Sequence, residues 1–178
     1  EVLTIFAAGH ETTANALSWT WHLLGQHPEV LARLQAEIDT VLGDRVPEHD
    51  DLQRLTYTRQ VFDESLRLYT PAPIVAPRMN IQDTRLGEHV IPAGSTLLIS
   101  ISNIHRHPDF WEQPDAFLPE RWASKATSKG TKETKEDWAN KQRRAYMPFG
   151  AGPRMCVGNN FALMEGPLLL AMMLQKVT

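Results

Sequence analysis

The chain has 178 residues, 42% hydrophobic and 22% charged, a balance that fits a packed core and argues against disorder. Its formal charge of −3 gives no support for a nucleic-acid partner, which usually goes with a basic balance. A single cysteine excludes an internal disulfide, and no apolar run of about eighteen residues is present to cross a membrane. The opening EVLTIFAAGH has no charged leader and reads as mid-helix, and the closing AMMLQKVT stops without a cap. Both ends are therefore expected to be cuts within a longer protein.

Residues 1–26 carry dense apolar side chains and no proline, which predicts a helix containing AAGHETT at 7–13. Pro28 opens a second helix, with Val30, Leu31, Leu34, Ile38, Val41 and Leu42 at helical spacing and Gly43 as its stop. A polar connector at 47–55 leads to a third helix at 57–69, ended by Pro71 and Pro73. Short strands are expected at 74–76, 84–86 and 95–99, with turns at 87–88 and 92–94. Residues 103–122 are irregular and rich in Pro, Trp and His, and 123–144 is a polar, lysine-rich loop or insertion. Trp138 within it could anchor the loop or contact a partner. A Gly/Pro loop at 147–155 precedes a final helix at 157–177, in which Pro167 should cost about 3 kcal/mol or kink the helix. No internal repeat is visible, and the expected class is mainly α with a small β-sheet, α+β by layer logic.

The lone cysteine sits in FGAGPRMCVG at 149–158, directly before a predicted helix. A helix N-terminus offers unpaired N–H groups and positive partial charge, which favour a thiolate over a thiol. Gly150, Gly152 and Gly158 permit tight turns and the close approach of a flat, bulky ligand. Phe149 can shield the sulfur of Cys156 from water, and Arg154 can meet a carboxylate. Together they describe a protected thiolate presented to a large anionic cofactor; the alternative is a structural cysteine in a glycine-rich turn. Met155 stands where a dinucleotide fingerprint needs glycine, and no second cysteine completes a CxxC.

In AAGHETT, Gly9 weakens the helix by about 1 kcal/mol, and Thr12 can bond back to the Ala8 carbonyl and bend it. The resulting groove could hold a small molecule, with Glu11 and Thr12 as an acid and an alcohol for proton delivery. The alternative is a kink with a hydrophilic face. Ala14 stands where the HExxH of a zinc protease requires histidine. Glu64 and Arg67 share one helix face, a spacing that is ordinary on surfaces. Arg121 in PERW at 119–122 could join them in a buried clip holding the irregular region to the helix.

These four elements, in this order, resemble the heme-thiolate cytochrome P-450 superfamily across the whole chain, as the C-terminal half of such a domain. Phe149, Gly152, Arg154, Cys156 and Gly158 fit FxxGxRxCxG at every position. Ala8, Gly9, Glu11, Thr12 and Thr13 fit the oxygen-activating helix motif, Glu64 and Arg67 fit ExxR, and Arg121 fits the PERF-type motif with Trp122 in place of Phe. The resemblance implies a monooxygenase fold running from the oxygen-binding helix to the helix after the cysteine loop. It implies heme b (iron protoporphyrin IX) with Cys156 as axial ligand. It implies Arg154 on a propionate, and Thr12 with Glu11 in oxygen activation and proton relay. Arg78 and His105 are expected as further propionate partners, although Arg106-His107 departs from the family's usual Arg-Asp. Ile5, Ala8, Ile74 and Val75 match pocket-lining stretches, or serve as ordinary core. Implied partners are an apolar substrate, O2, and an NAD(P)H-fed flavoprotein reductase or ferredoxin, separate or fused. The tone of 149–174 resembles branches that hydroxylate fatty acids or alkanes. A peroxygenase or isomerase on the same fold, and a non-catalytic heme-binding protein, remain as alternatives. Localisation stays open between cytoplasm and membrane.

Overall fold

The computed structural model describes residues 1–123, 140 and 144–177. The insertion expected at 123–144, Trp138 included, lies almost wholly outside the described residues.

Helix α1 runs unbroken over Val2–Gln26, so neither Gly9 nor Thr12 interrupts it. Its halves differ. Residues 1–12 are exposed, whereas Ala16, Leu17, Thr20, Leu23 and Leu24 are buried. Helix α2, Pro28–Val41, starts on its proline, and Val30, Leu34 and Ile38 form one buried stripe at four-residue spacing. Helix α3 covers Thr56–Leu68. Its first N–H groups are capped by a neighbouring helix: the Glu37 carboxylate on α2 accepts the Tyr57 and Thr58 amides, both at 2.7 Å, and the Thr58 hydroxyl at 2.8 Å. An anion at a helix N-terminus also opposes the positive end of the helix dipole. α3, which carries Glu64 and Arg67, is thereby held at its start.

Four strands follow. β1 (Ile74–Met79) pairs antiparallel with β4 (Thr96–Ser100), from Ile74 opposite Ser100 to Met79 opposite Thr96. The register shifts between Val75 and Arg78, the stretch that holds Pro77, because proline cannot donate to a ladder. β2 (Thr84–Leu86) and β3 (His89–Ile91) form a separate hairpin turning at Gly87, whose φ of +57° suits glycine. A one-turn helix α4, Ile101–Ile104, is capped by the Ser100 hydroxyl. The last helix, α5, spans Asn159–Leu174 and so starts later than predicted, since 156–158 belong to the turn that delivers it.

α1, α2, α3 and α5 pack on one another around Leu24, Leu34, Ile38, Val61, Phe62, Leu66, Leu170 and Leu174. α5 continues through Pro167, which is buried, so the proline does not end the helix. Beside it, a Cβ added at Gly166 would lie 2.2 Å from the Phe62 ring, so α3 seats its aromatic side chain on bare α5 backbone. Gln175 ties the far end of α5 to the turn after α2, donating to the Gly43 and Arg45 carbonyls at 2.7 and 3.0 Å. No described helix is long and apolar enough to cross a membrane.

Candidate active site

The cysteine loop is a closed backbone device. The Met147 carbonyl accepts the Gly150 amide at 2.9 Å, and the Phe149 carbonyl accepts the Cys156 amide at 2.9 Å. Between them Gly150 and Gly152 adopt φ of +73° and +72°, which a side chain would strain. A short 3-10 turn at Gly152–Arg154 then aims the chain at α5, and the Cys156 carbonyl receives the Asn159 amide at 3.4 Å. Gly158 needs no special dihedral. A Cβ there would meet only the Cys156 Sγ, at an ordinary 3.8 Å, so its bareness keeps clear the space beside the sulfur. Cys156 and Arg154 are exposed, and Phe149 is half-buried against the core.

The Glu64–Arg67–Arg121 clip is present and dry. Glu64 and Arg67 are fully buried, and Arg121 is 8% exposed. The Glu64 carboxylate collects five donors: Arg67 Nε and Nη2, Arg121 Nε and Trp122 Nε1 at 2.9 Å, and the Leu118 amide at 3.1 Å. Trp122, in place of the usual phenylalanine, thus adds an indole N–H to the carboxylate. The guanidinium groups spend their other N–H groups on loop carbonyls. Arg67 reaches Pro114, Ala116 and His105 at 2.6–3.0 Å, and Arg121 reaches Glu112 and Gln113 at 3.0 and 3.3 Å. Gln113 sits at φ +47°, a left-handed conformation held on both sides by these contacts. A carboxylate and two cations can stay buried only when every lone pair and proton is met in this way.

His105 differs from expectation. It is fully buried and faces the cysteine loop's first residue rather than an open surface. Its Nδ1 lies 3.0 Å from the Arg67 carbonyl, and its Nε2 accepts the Met147 amide at 3.0 Å. Both ring nitrogens are used within the chain, which leaves neither for a propionate. Burial, together with the Arg67 and Arg106 cations, pulls the ring down from 6.5 to about 4, against the opposing pull of its bond to Arg67 and of Glu64. The neutral ring therefore contributes stability that is complete above 6.5 and lost as pH falls toward about 4. Between pH 7 and 4.5 the urea midpoint of the protein is expected to fall further than that of His105→Gln, by on the order of 2–3 kcal/mol of stability. Equal slopes would remove the ring from the acid response.

The remaining predicted residues lie on open faces. Thr12 Oγ1 donates to the Ala8 carbonyl at 2.7 Å, as expected, yet Ser18, Thr20 and Thr40 make the same back-bond, so the bond alone marks no site. Glu11, Ile5, Ala8, Ile74 and Arg78 are exposed and Val75 is half-buried. α1 packs against α5, the helix that follows the cysteine loop. Sequence reasoning misses Tyr146, whose hydroxyl donates to the Asp63 carboxylate at 3.1 Å while its ring stacks on His105. Half-buried and paired with Asp63, its phenol is held well above the ordinary range by desolvation and by the neighbouring carboxylate.

Comparison with known proteins decides the family, because a profile of Cytochrome P-450 matches residues 1–178. The chain belongs to the cytochrome P-450 family. The protein Lutein deficient 5, chloroplastic, of Arabidopsis thaliana is 42% identical over 99% of this chain and 28% of its own length. Cyclooctatin synthase of Streptomyces melanosporofaciens is 42% identical over 96% of this chain and 35% of its own. Carotene epsilon-monooxygenase of Arabidopsis thaliana is 37% identical over 99% and 31%. A crystallised mutant cytochrome P-450 heme domain superposes with a TM-score of 0.84 at 39% identity, over 98% of this chain and 37% of that one. The fold is thus part of the cytochrome P-450 heme domain, mostly helical with small antiparallel sheets. The chain spans about a third of the length of these relatives.

Membership in the cytochrome P-450 family implies heme, and the donor chemistry fits it. Among the described residues no three His, Cys, Asp or Glu side chains gather to hold a metal. A metal held at Cys156 therefore takes one donor here and must bring its other ligands, as an iron porphyrin does. The bare backbone at Gly158 beside Sγ suits a flat ring.

Proposed function

We propose that the protein is a heme-thiolate monooxygenase, and that residues 1–178 form part of its heme domain. It places one atom of O2 in an apolar substrate and sends the other to water, with two electrons from NAD(P)H through a reductase partner. The observation that carries this reading is Cys156, held exposed at the mouth of a closed glycine loop, immediately ahead of α5.

Heme, when bound, supplies the reductive activation of dioxygen. Cys156 Sγ would hold its iron and the exposed Arg154 and Arg78 guanidinium groups would meet its carboxylates, whereas Phe149 packs against the core and leaves the sulfur exposed in this chain. Thr12 Oγ1, whose proton lies toward the Ala8 carbonyl, keeps lone pairs that can accept a proton and pass it on. Glu11, the next residue on the exposed half of α1, resupplies it. Ile5, Ala8, Ile74 and Val75 face the substrate, and the exposed apolar surface of Ile5 and Ile74 favours a hydrocarbon-rich molecule. The relative named for carotene points to a substrate of that class.

With the intact protein, its reductase and 18O2, one labelled oxygen per product is expected, dependent on NAD(P)H. Turnover by peroxide alone would favour a peroxygenase. Heme uptake without NAD(P)H-dependent oxygen consumption would replace the enzyme with a heme-binding protein.

A further inference from the structure

We infer that His105 is a positioning residue that holds the start of the cysteine loop, and through it the sulfur of Cys156, to the buried clip on α3. The inference rests on the heme-thiolate reading of the site. A continuous hydrogen-bonded path supports it. Arg67, locked to Glu64, offers its own carbonyl to His105 Nδ1 at 3.0 Å. His105 Nε2 receives the Met147 amide at 3.0 Å. Met147 closes the turn onto Gly150, and the Phe149 carbonyl within that turn binds the Cys156 amide. One link leads back as well, since the His105 carbonyl accepts Arg67 Nη1 at 2.7 Å.

The chemistry admits a single state of the ring. A carbonyl can only accept, so Nδ1 must carry the proton; an amide can only donate, so Nε2 must offer its lone pair. Protonation would leave the Met147 amide facing another N–H. Burial and the Arg67 and Arg106 cations keep the ring neutral against the pull of Glu64, and the stacked Tyr146 ring, itself bonded to Asp63, keeps it oriented. Trp111 closes a further side, edge-on at 6.4 Å.

The test compares two amide substitutions in the intact protein. Glutamine can carry an acceptor out to the position of Nε2, whereas asparagine reaches only that of Nδ1. Carbon monoxide on the reduced protein reads the fraction of heme ligated by thiolate, and hydrogen exchange reads the amides of the segment beginning at Met147. His105→Gln is expected to keep the thiolate-type band and the slow exchange. His105→Asn is expected to lower the ratio of thiolate-ligated to mis-ligated heme about tenfold and to speed exchange at Met147, as loss of one buried hydrogen bond implies. Thermal midpoints of the two variants should lie close together, since both delete the same ring. Wild-type band and exchange in His105→Asn would overturn the inference, as would loss of both in His105→Gln. If one variant fails to accumulate, the other decides by the same two readings. Were the unsubstituted protein to lack a thiolate-type band, the heme-thiolate reading would fail, while the exchange arm would still report on the bond between His105 and Met147.

Discussion

Cys156→Ser is expected to abolish the thiolate-type carbon-monoxide band of the full-length protein and to cut oxygenation by more than about a hundredfold. Changes to groups that merely orient a metal ligand reach roughly 100-fold, so removal of the ligand itself should exceed that. A serine hydroxyl stays protonated near neutrality and is a poor electron donor, so the electron push that favours O–O cleavage is lost. The fold should survive. The side chain of Cys156 is exposed, and the bond it makes in the loop, to the Phe149 carbonyl, is through its backbone amide, which serine retains. Helical content and thermal midpoint should therefore stay close to those of the parent. An unchanged carbon-monoxide spectrum would sink the functional reading.

The second large effect lies in the clip. Glu64→Ala removes the carboxylate that, among the described residues, faces the buried Arg67 and Arg121, and takes an acceptor from Trp122 and Leu118 as well. Breaking a buried ion pair from one side costs about 3–5 kcal/mol. Whole domains are stable by only about 5–15 kcal/mol, so the variant should be largely unfolded, or without cofactor, at physiological temperature. Glu64→Gln keeps one oxygen acceptor without the charge, and its urea midpoint should fall between the two. Arg67→Lys should resemble Glu64→Ala more than the parent. A single ammonium cannot serve Glu64 together with the carbonyls of His105, Pro114 and Ala116, which the planar fork reaches at once. A loss below about 1 kcal/mol for Glu64→Ala, the scale of an exposed pair, would show that the clip is not the anchor described.

The cysteine loop is legible in residue order alone because its determinants are contiguous. The dihedral demand of Gly150 and Gly152, the thiol, and the helix that follows all fall within about twenty-five residues. Long helices are equally legible, since apolar spacing along α2 is the pattern its burial follows. Strand β3 escapes a reading of the sequence, and its pairing with β2 across the Gly87 turn is what defines it. β1 is longer than its sequence suggests because Pro77 reads as a stop, whereas the sheet accommodates it as an irregularity in the ladder.

The role of His105 is hidden for a different reason. Its partners stand 38 and 42 residues away in the chain, so nothing near it in sequence reveals where its ring points. The same holds for Trp122, which meets Glu64 across 58 residues. An acid and an arginine three apart on a helix look alike whether they are wet or dry. Which helices form, where glycine must stand, and which side chain can ligate a metal are thus written in local residue order. That the Glu64 carboxylate is dry and fivefold bonded, and that His105 serves the loop rather than a ligand, follows only from the chain returning on itself. Burial and long-range hydrogen bonds are properties of packed neighbours, and packing brings together groups that the covalent order keeps apart.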